Sequence, residues 1–161
     1  MAEELRIASG GKSEKYNMLF EQIKSLVDIE KDPIAIMANI AAMIHETFSF
    51  LWTGFYRVIG NELVLGPFQG PMACLRIKFG RGVCGSAWKE NRILIIPNVE
   101  EFEGHIACSS LSKSEIVIPL RNNGKIVGVL DIDSENLNTF DMTDALWLEK
   151  ICVLVPNPDS I

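Results

Sequence analysis

Apolar positions recur at helical spacing over the first third of the chain, and then the period shortens. Residues 13–28 place Tyr16, Leu19, Phe20, Ile23, Leu26 and Val27 on one stripe, which predicts an amphipathic helix. Asp32-Pro33 reads as an N-cap followed by proline at the first helical position, where a missing N–H is harmless. The helix it opens carries Ile36, Met37, Ile40, Ala41, Met43 and Ile44 toward Phe48. Strand-like runs follow. LWTGFYRVIG (51–60) and ELVLGP (62–67) meet at Gly60-Asn61, a hairpin signal. CLRIKF (74–79) alternates and ends at Gly80, GVCGSAWKEN (82–91) suits a short helix, RILIIP (92–97) a buried strand, and 98–113 a long loop. The clearest hairpin is SEIVIPLRNNGKIVGVLDIDS (114–134), two apolar runs joined across Asn122-Asn123-Gly124. An acid-capped helix then starts around Phe140-Asp141 and carries Ala145, Leu146, Leu148, Ile151 and Cys152, and the proline-containing tail cannot continue it.

This order predicts an α+β domain: a central, largely antiparallel sheet of about six strands, with the N- and C-terminal helices packed on one face. The other face and its long loops are left free to hold a small ligand. The pattern alone does not separate a GAF domain from a PAS domain or a profilin. At 161 residues one domain is expected, with residues 1–12 a flexible leader, 13–155 the domain and 156–161 a tail.

Composition narrows the function classes. Fifteen basic against 21 acidic residues leave a net charge of −6, which argues against nucleic acid, whose phosphates need a concentrated basic surface. No apolar run of about 18 residues exists to span a bilayer. The N-terminus is polar and acidic, with no apolar core for secretion, so the expected location is cytoplasmic. Cysteines in that compartment lean toward catalysis, redox exchange or metal rather than stable cross-links.

Three of the four cysteines, Cys74, Cys84 and Cys108, fall within 35 residues. None of their spacings is the CxxC type that presents two thiolates to zinc, so no structural metal is expected. Cys152 lies on the apolar stripe of the last helix, where packing is expected, as it is for Trp88. Cys108, in GHIACSS, is the best nucleophile candidate, because polar neighbours in a loop suit a reacting thiolate. His105, three residues earlier, either assists that thiol or satisfies local backbone. Cys84 follows Gly82 at a helix start, where the dipole favours thiolate; its alternative is packing beneath the sheet.

Asp131 and Asp133 flank Ile132, so period-two geometry sends both carboxylates to one face of an otherwise apolar strand. If Glu115 lies near them across the hairpin, three acids crowd one pocket and at least one pKa rises. That leaves a proton donor near neutrality and a negative charge for an ammonium group. A solvated strand end is the alternative. Trp52 and Tyr56, four apart on a strand, face the same way and either wall a pocket or fill the core.

Together GRGVCGSAW (80–88), GHIACSS (104–110), SEIVIPL (114–120) and VGVLDIDS (127–134) resemble the free methionine-(R)-sulfoxide reductases, enzymes built on the GAF fold. The resemblance runs over residues 14–155 and implies reduction of the free amino acid sulfoxide, without metal or organic cofactor. It implies Cys108 as the attacking cysteine, Cys74 as its principal resolving partner and Cys84 as an auxiliary thiol. It also implies Trp52, Tyr56, Glu115, Asp131 and Asp133 around the substrate, thioredoxin as reductant and, as in many GAF proteins, a possible homodimer through the first helices. The rival expectation is a GAF-type module that senses a small molecule or redox state through Cys108 without catalysis. A zinc-stabilised structural domain is the third, which the cysteine spacing disfavours.

Overall fold

The computed structural model describes residues 4–159. Helices α1 (Lys12–Ile29) and α2 (Pro33–Phe48) precede strands β1 (Trp52–Ile59), β2 (Glu62–Gln69) and β3 (Arg76–Lys78). Helix α3 (Gly82–Glu90), strand β4 (Leu94–Ile96), a 3₁₀ turn (Val99–Glu101), strands β5 (Ser114–Asn122) and β6 (Lys125–Ser134), and helix α4 (Met142–Leu154) complete the order. The six strands form one sheet in the order β3-β2-β1-β6-β5-β4, antiparallel at each pairing.

Local sequence explains the helix ends. The Asp32 side chain accepts from the Ala35 N–H at 2.9 Å, with Pro33 at the first position of α2. Asp141 and Asp144 form a reciprocal capping box at the start of α4. Asp144 also accepts from Tyr16 Oη at 2.7 Å and pairs with Lys12 Nζ at 2.6 Å, so one buried carboxylate fastens α1 to α4. Residues 4–11, expected as a leader, lie beside α1. The Arg6 N–H donates to Gln22 Oε1 and the Arg6 carbonyl accepts from Gln22 Nε2, both at 2.8 Å, while Leu5 packs on the core.

The sheet separates two apolar cores. One face packs Phe55, Ile116, Ile118, Leu130 and Ile132 against buried residues of α1, α2 and α4. This is the helical face that the sequence pattern predicts, with Cys152 packed inside it. The other face carries Trp52, Tyr56, Val117 and Val129 and is covered by α3 and the loops around it. Alternation of apolar residues on β5 and β6 therefore divides side chains between two cores rather than between core and water.

Two strands are shorter than the sequence pattern predicts. Of residues 74–79 only Arg76–Lys78 join the ladder, because the Cys74 carbonyl turns aside to accept from Tyr56 Oη at 3.0 Å. Of 92–97 only Leu94–Ile96 pair, and Pro97 has no N–H with which to extend the ladder. The long 98–113 segment opens with the 3₁₀ turn, capped by Asn98, and its end is pinned where the Val99 N–H donates to the Lys113 carbonyl at 2.9 Å.

Candidate active site

Strand register assembles the site. Glu115 on β5 stands opposite Asp133 on β6, which stands opposite Trp52 on β1. The next row in the same phase is Val117, Asp131 and Gly54, and the next brings Val129 of β6 beside Tyr56. Period-two alternation puts all these side chains on the sheet face away from α1, α2 and α4. Trp52, Tyr56, Cys84, Cys108, Glu115, Asp131 and Asp133 line one cleft there.

Gly54 sets the shape of the aromatic wall. A Cβ at this position would stand 2.4 Å from Trp52 Cη2, so its absence lets the indole lie down along the strand. The ring stacks 5.9 Å from Tyr56 and 5.3 Å from Phe68. Both aromatics also fasten the segment that carries Cys74. Trp52 Nε1 donates to the Pro71 carbonyl at 3.1 Å, and Tyr56 Oη donates to that of Cys74. Burial, with Asp131, Cys84 and the other acids nearby, pushes the Tyr56 phenol up, so it stays a donor.

Cys74 is joined to Cys108 in a disulfide with 5.5 Å between the Cα atoms. It thus reaches the site through that bond and the Tyr56 contact. Cys84 enters from α3, with its Sγ 3.9 Å from Glu115 Oε1. Here the structure corrects an expectation. The start of α3 does not favour the thiolate, because Cys84 is buried and faces Asp131 and Glu115, and its thiol is pushed well above the usual range. Desolvation and two carboxylates outweigh the helix dipole.

The acids are not a solvated strand end. Glu115 and Asp131 are only 6% and 7% exposed, on a sheet face otherwise walled by apolar side chains. Burial pushes all three carboxyls up, Asp131 to about 6 and Glu115 and Asp133 well above the ordinary range; neighbouring acids push the latter two further. Asp133 accepts from Ser112 Oγ at 2.5 Å, whereas Asp131 Oδ1 is buried without a hydrogen-bond partner. His105 places Nε2 3.9 Å from Glu115 Oε2, and burial lowers its pKa, so the imidazole is neutral. Its charge-bearing neighbour is thus the acid group. One oxygen of Glu115, one of Asp131 and the Cys84 sulfur lie within 4.8 Å of one another, the only such donor group among the described residues.

Sequence reasoning missed Gly54, Ser112 and Ile106. Gly54 is signalled by its place between two same-face aromatics; Ser112 carries no motif. Gly82 holds φ +60°, and a Cβ there would come 3.3 Å from Ile106, so this glycine admits the Cys108 loop close to α3. Trp88 packs edge-on against Phe79 at 4.8 Å, away from the chemistry.

The GAF domain family matches residues 32–155. GAF domain-containing protein A of Dictyostelium discoideum is 56% identical over 158 residues, 98% of this chain and 100% of that one. The free methionine-R-sulfoxide reductase of Escherichia coli is 43% identical over 141 residues, covering 87% of this chain and 86% of its own. The X-ray structure of free methionine-R-sulfoxide reductase from Neisseria meningitidis, in complex with its substrate, superimposes with a TM-score of 0.92. It is 48% identical and covers 94% of this chain and 92% of that one. Fold and site together define a GAF domain with a thiol-and-acid cleft on its open face. The chain belongs to the free methionine-R-sulfoxide reductase family.

Proposed function

We propose that this protein reduces free methionine-(R)-sulfoxide to methionine, with the Cys108 thiolate attacking the sulfoxide sulfur. The observation that carries the reading is the buried Glu115/Asp131/Asp133 group, which shares one cleft with Cys108 and leaves Asp131 Oδ1 without a partner. An isolated fold would gain nothing from three crowded carboxyls. A ligand bearing an ammonium group and a basic sulfoxide oxygen satisfies them, since the group retains a proton to give and a negative charge to offer. Trp52 and Tyr56 form an apolar wall suited to the thioether and methyl groups.

The electrons balance in three steps. Cys108 sulfur donates its pair to the sulfoxide sulfur while an acid of the group protonates the departing oxygen. Net oxygen transfer gives methionine and a Cys108 sulfenic acid. Cys74 then condenses with it, releasing water and forming the disulfide that the structure contains. A dithiol reductant, thioredoxin in this reading, returns both cysteines to thiols by exchange, in a cytoplasmic setting. The 98–113 segment closes over the ligand and selects the free amino acid, because a peptide chain has no room beneath it. Comparable turnover of a peptide sulfoxide would sink that part.

The test is methionine formation from the R and the S epimer separately, with thioredoxin, thioredoxin reductase and NADPH supplied. Turnover of the R epimer alone is expected. Failure of both epimers, with every thiol shown to be reduced, overturns the reading and favours a ligand-sensing module.

A further inference from the structure

We propose that Cys84, Glu115 and Asp131 form a site for one thiophilic divalent cation of the zinc class, and that this cation shuts out substrate by taking the place of its ammonium group. The second clause rests on the function proposed above; the first stands on geometry. A thiol sulfur and two carboxylate oxygens from α3, β5 and β6 already lie within 4.8 Å of one another. Tetrahedral zinc with one sulfur at about 2.3 Å and oxygens at about 2.0–2.2 Å needs sulfur–oxygen separations of roughly 3.5 Å. Cys84 Sγ and Glu115 Oε1 stand at 3.9 Å, so a contraction of a few tenths of an ångström closes that edge.

The orphaned atom points the same way. Asp131 lines the cleft and is 7% exposed, yet its Oδ1 has no hydrogen-bond partner. His105 is a candidate fourth donor, its Nε2 already 3.9 Å from the other oxygen of Glu115. A thiolate, two carboxylates and an imidazole suit zinc or cadmium far better than magnesium or calcium. Binding releases the Cys84 thiol proton, and the proton that the acid pair retains, to solvent, with no change of redox state.

The site also outlives oxidation. With Cys74 and Cys108 joined, the free cysteines among the described residues are Cys84, on the cleft, and Cys152, packed in the helical core on the opposite face of the sheet. The disulfide form therefore offers a cation Cys84 as the one free thiol of the cleft among the described residues.

Cadmium chloride titrated into the disulfide form of the whole protein tests this directly, because a cadmium–thiolate bond gives an ultraviolet charge-transfer band. Saturation of that band at one equivalent, and its displacement by zinc, is the expected result. Cys84→Ser should abolish the band, Asp131→Asn should keep it but weaken binding at least tenfold, and Cys152→Ala should leave both unchanged. No band in the native protein overturns the site, as does a band that survives in Cys84→Ser or disappears in Cys152→Ala. Should Cys84→Ser fail to fold, unchanged affinity in Asp131→Asn overturns it equally. In turnover assays of the reduced enzyme, zinc should raise the apparent KM for the sulfoxide, and a chelator should reverse this. A band without competition would overturn the ammonium-site clause alone, and the cadmium band is read without any turnover, so it stands or falls apart from the proposed activity.

Discussion

Single residues on the open face have separable tasks in the proposed reaction. Cys108→Ser removes the nucleophile, so methionine formation should fall to background; full activity in this variant would place the nucleophile elsewhere. Cys74→Ser leaves the first step intact. It should release about one methionine per enzyme in a fast burst and then recycle slowly, visible by quenched-flow product counting. Glu115 carries a second consequence, for stability. Its folded pKa is raised above the ordinary 4.5, so the folded state holds the proton more tightly than the unfolded chain does. That contribution is present below the unfolded value and is lost as pH rises toward the folded one. Glu115→Gln, neutral at every pH, should therefore melt higher than the native protein at about pH 8 and lose that advantage near pH 4.5. Turnover should fall at the same time. A melting curve that shifts equally at both pH values would refute the argument. Period-two spacing made Asp131 and Asp133 legible as a same-face pair. Their burial was not, because it depends on loops that share no local pattern with the strand.

Elements do here what no single side chain can. Strand β1 presents Trp52 and Tyr56 on one face, and both reach over to hold the segment between β2 and β3, which delivers Cys74 to Cys108. The sequence showed the two aromatics facing the same way and a strand near 74–79. It did not show that the strand stops short so that Cys74 can leave the ladder, because the cause is a hydrogen bond from a residue 18 positions away. If the Tyr56 hydroxyl positions Cys74, then Tyr56→Phe should slow formation of the disulfide more than the first reduction. The sulfenic acid on Cys108 should then accumulate and be captured by a dimedone-type trap, with a burst amplitude near that of the native enzyme. A variant that lowers the burst and the later phase in proportion would assign Tyr56 to substrate binding alone. Cys84 teaches the complementary lesson. Its helix start was readable and its ionisation was not, since that is set first by burial and then by carboxylates that come from β5 and β6.

The sheet divides labour across the whole molecule. Its helical face buries aliphatic and aromatic side chains of α1, α2 and α4, while its open face buries carboxyls and a thiol that disfavour the folded state when ionised. Strain of that kind has to be offset elsewhere, and the helical side supplies the compensation. This side was the most legible in the sequence, because helix periodicity and caps are local signals, yet the Asp144 node was not readable there. Asp144 joins its own capping box, Lys12 and the buried Tyr16 hydroxyl, across 128 residues of chain in the last case. Asp144→Ala strands that hydroxyl, leaves Lys12 only the longer contacts with Asp141 and the Thr139 carbonyl, and removes half of the box. A buried donor left unpaired costs about 1–3 kcal/mol and a lost cap about 1, so a loss of about 3 kcal/mol is expected. For a chain of this size that lowers Tm by roughly 6–12 °C. None of these groups borders the cleft, so kcat and KM of the folded enzyme, measured well below the new Tm, should not move. The two carboxyl variants should then part company: Asp144→Ala melts early and works, whereas Glu115→Gln melts late at alkaline pH and does not. If Asp144→Ala changed KM while holding its Tm, the two faces would be coupled through the sheet, and the labour would not be divided between them.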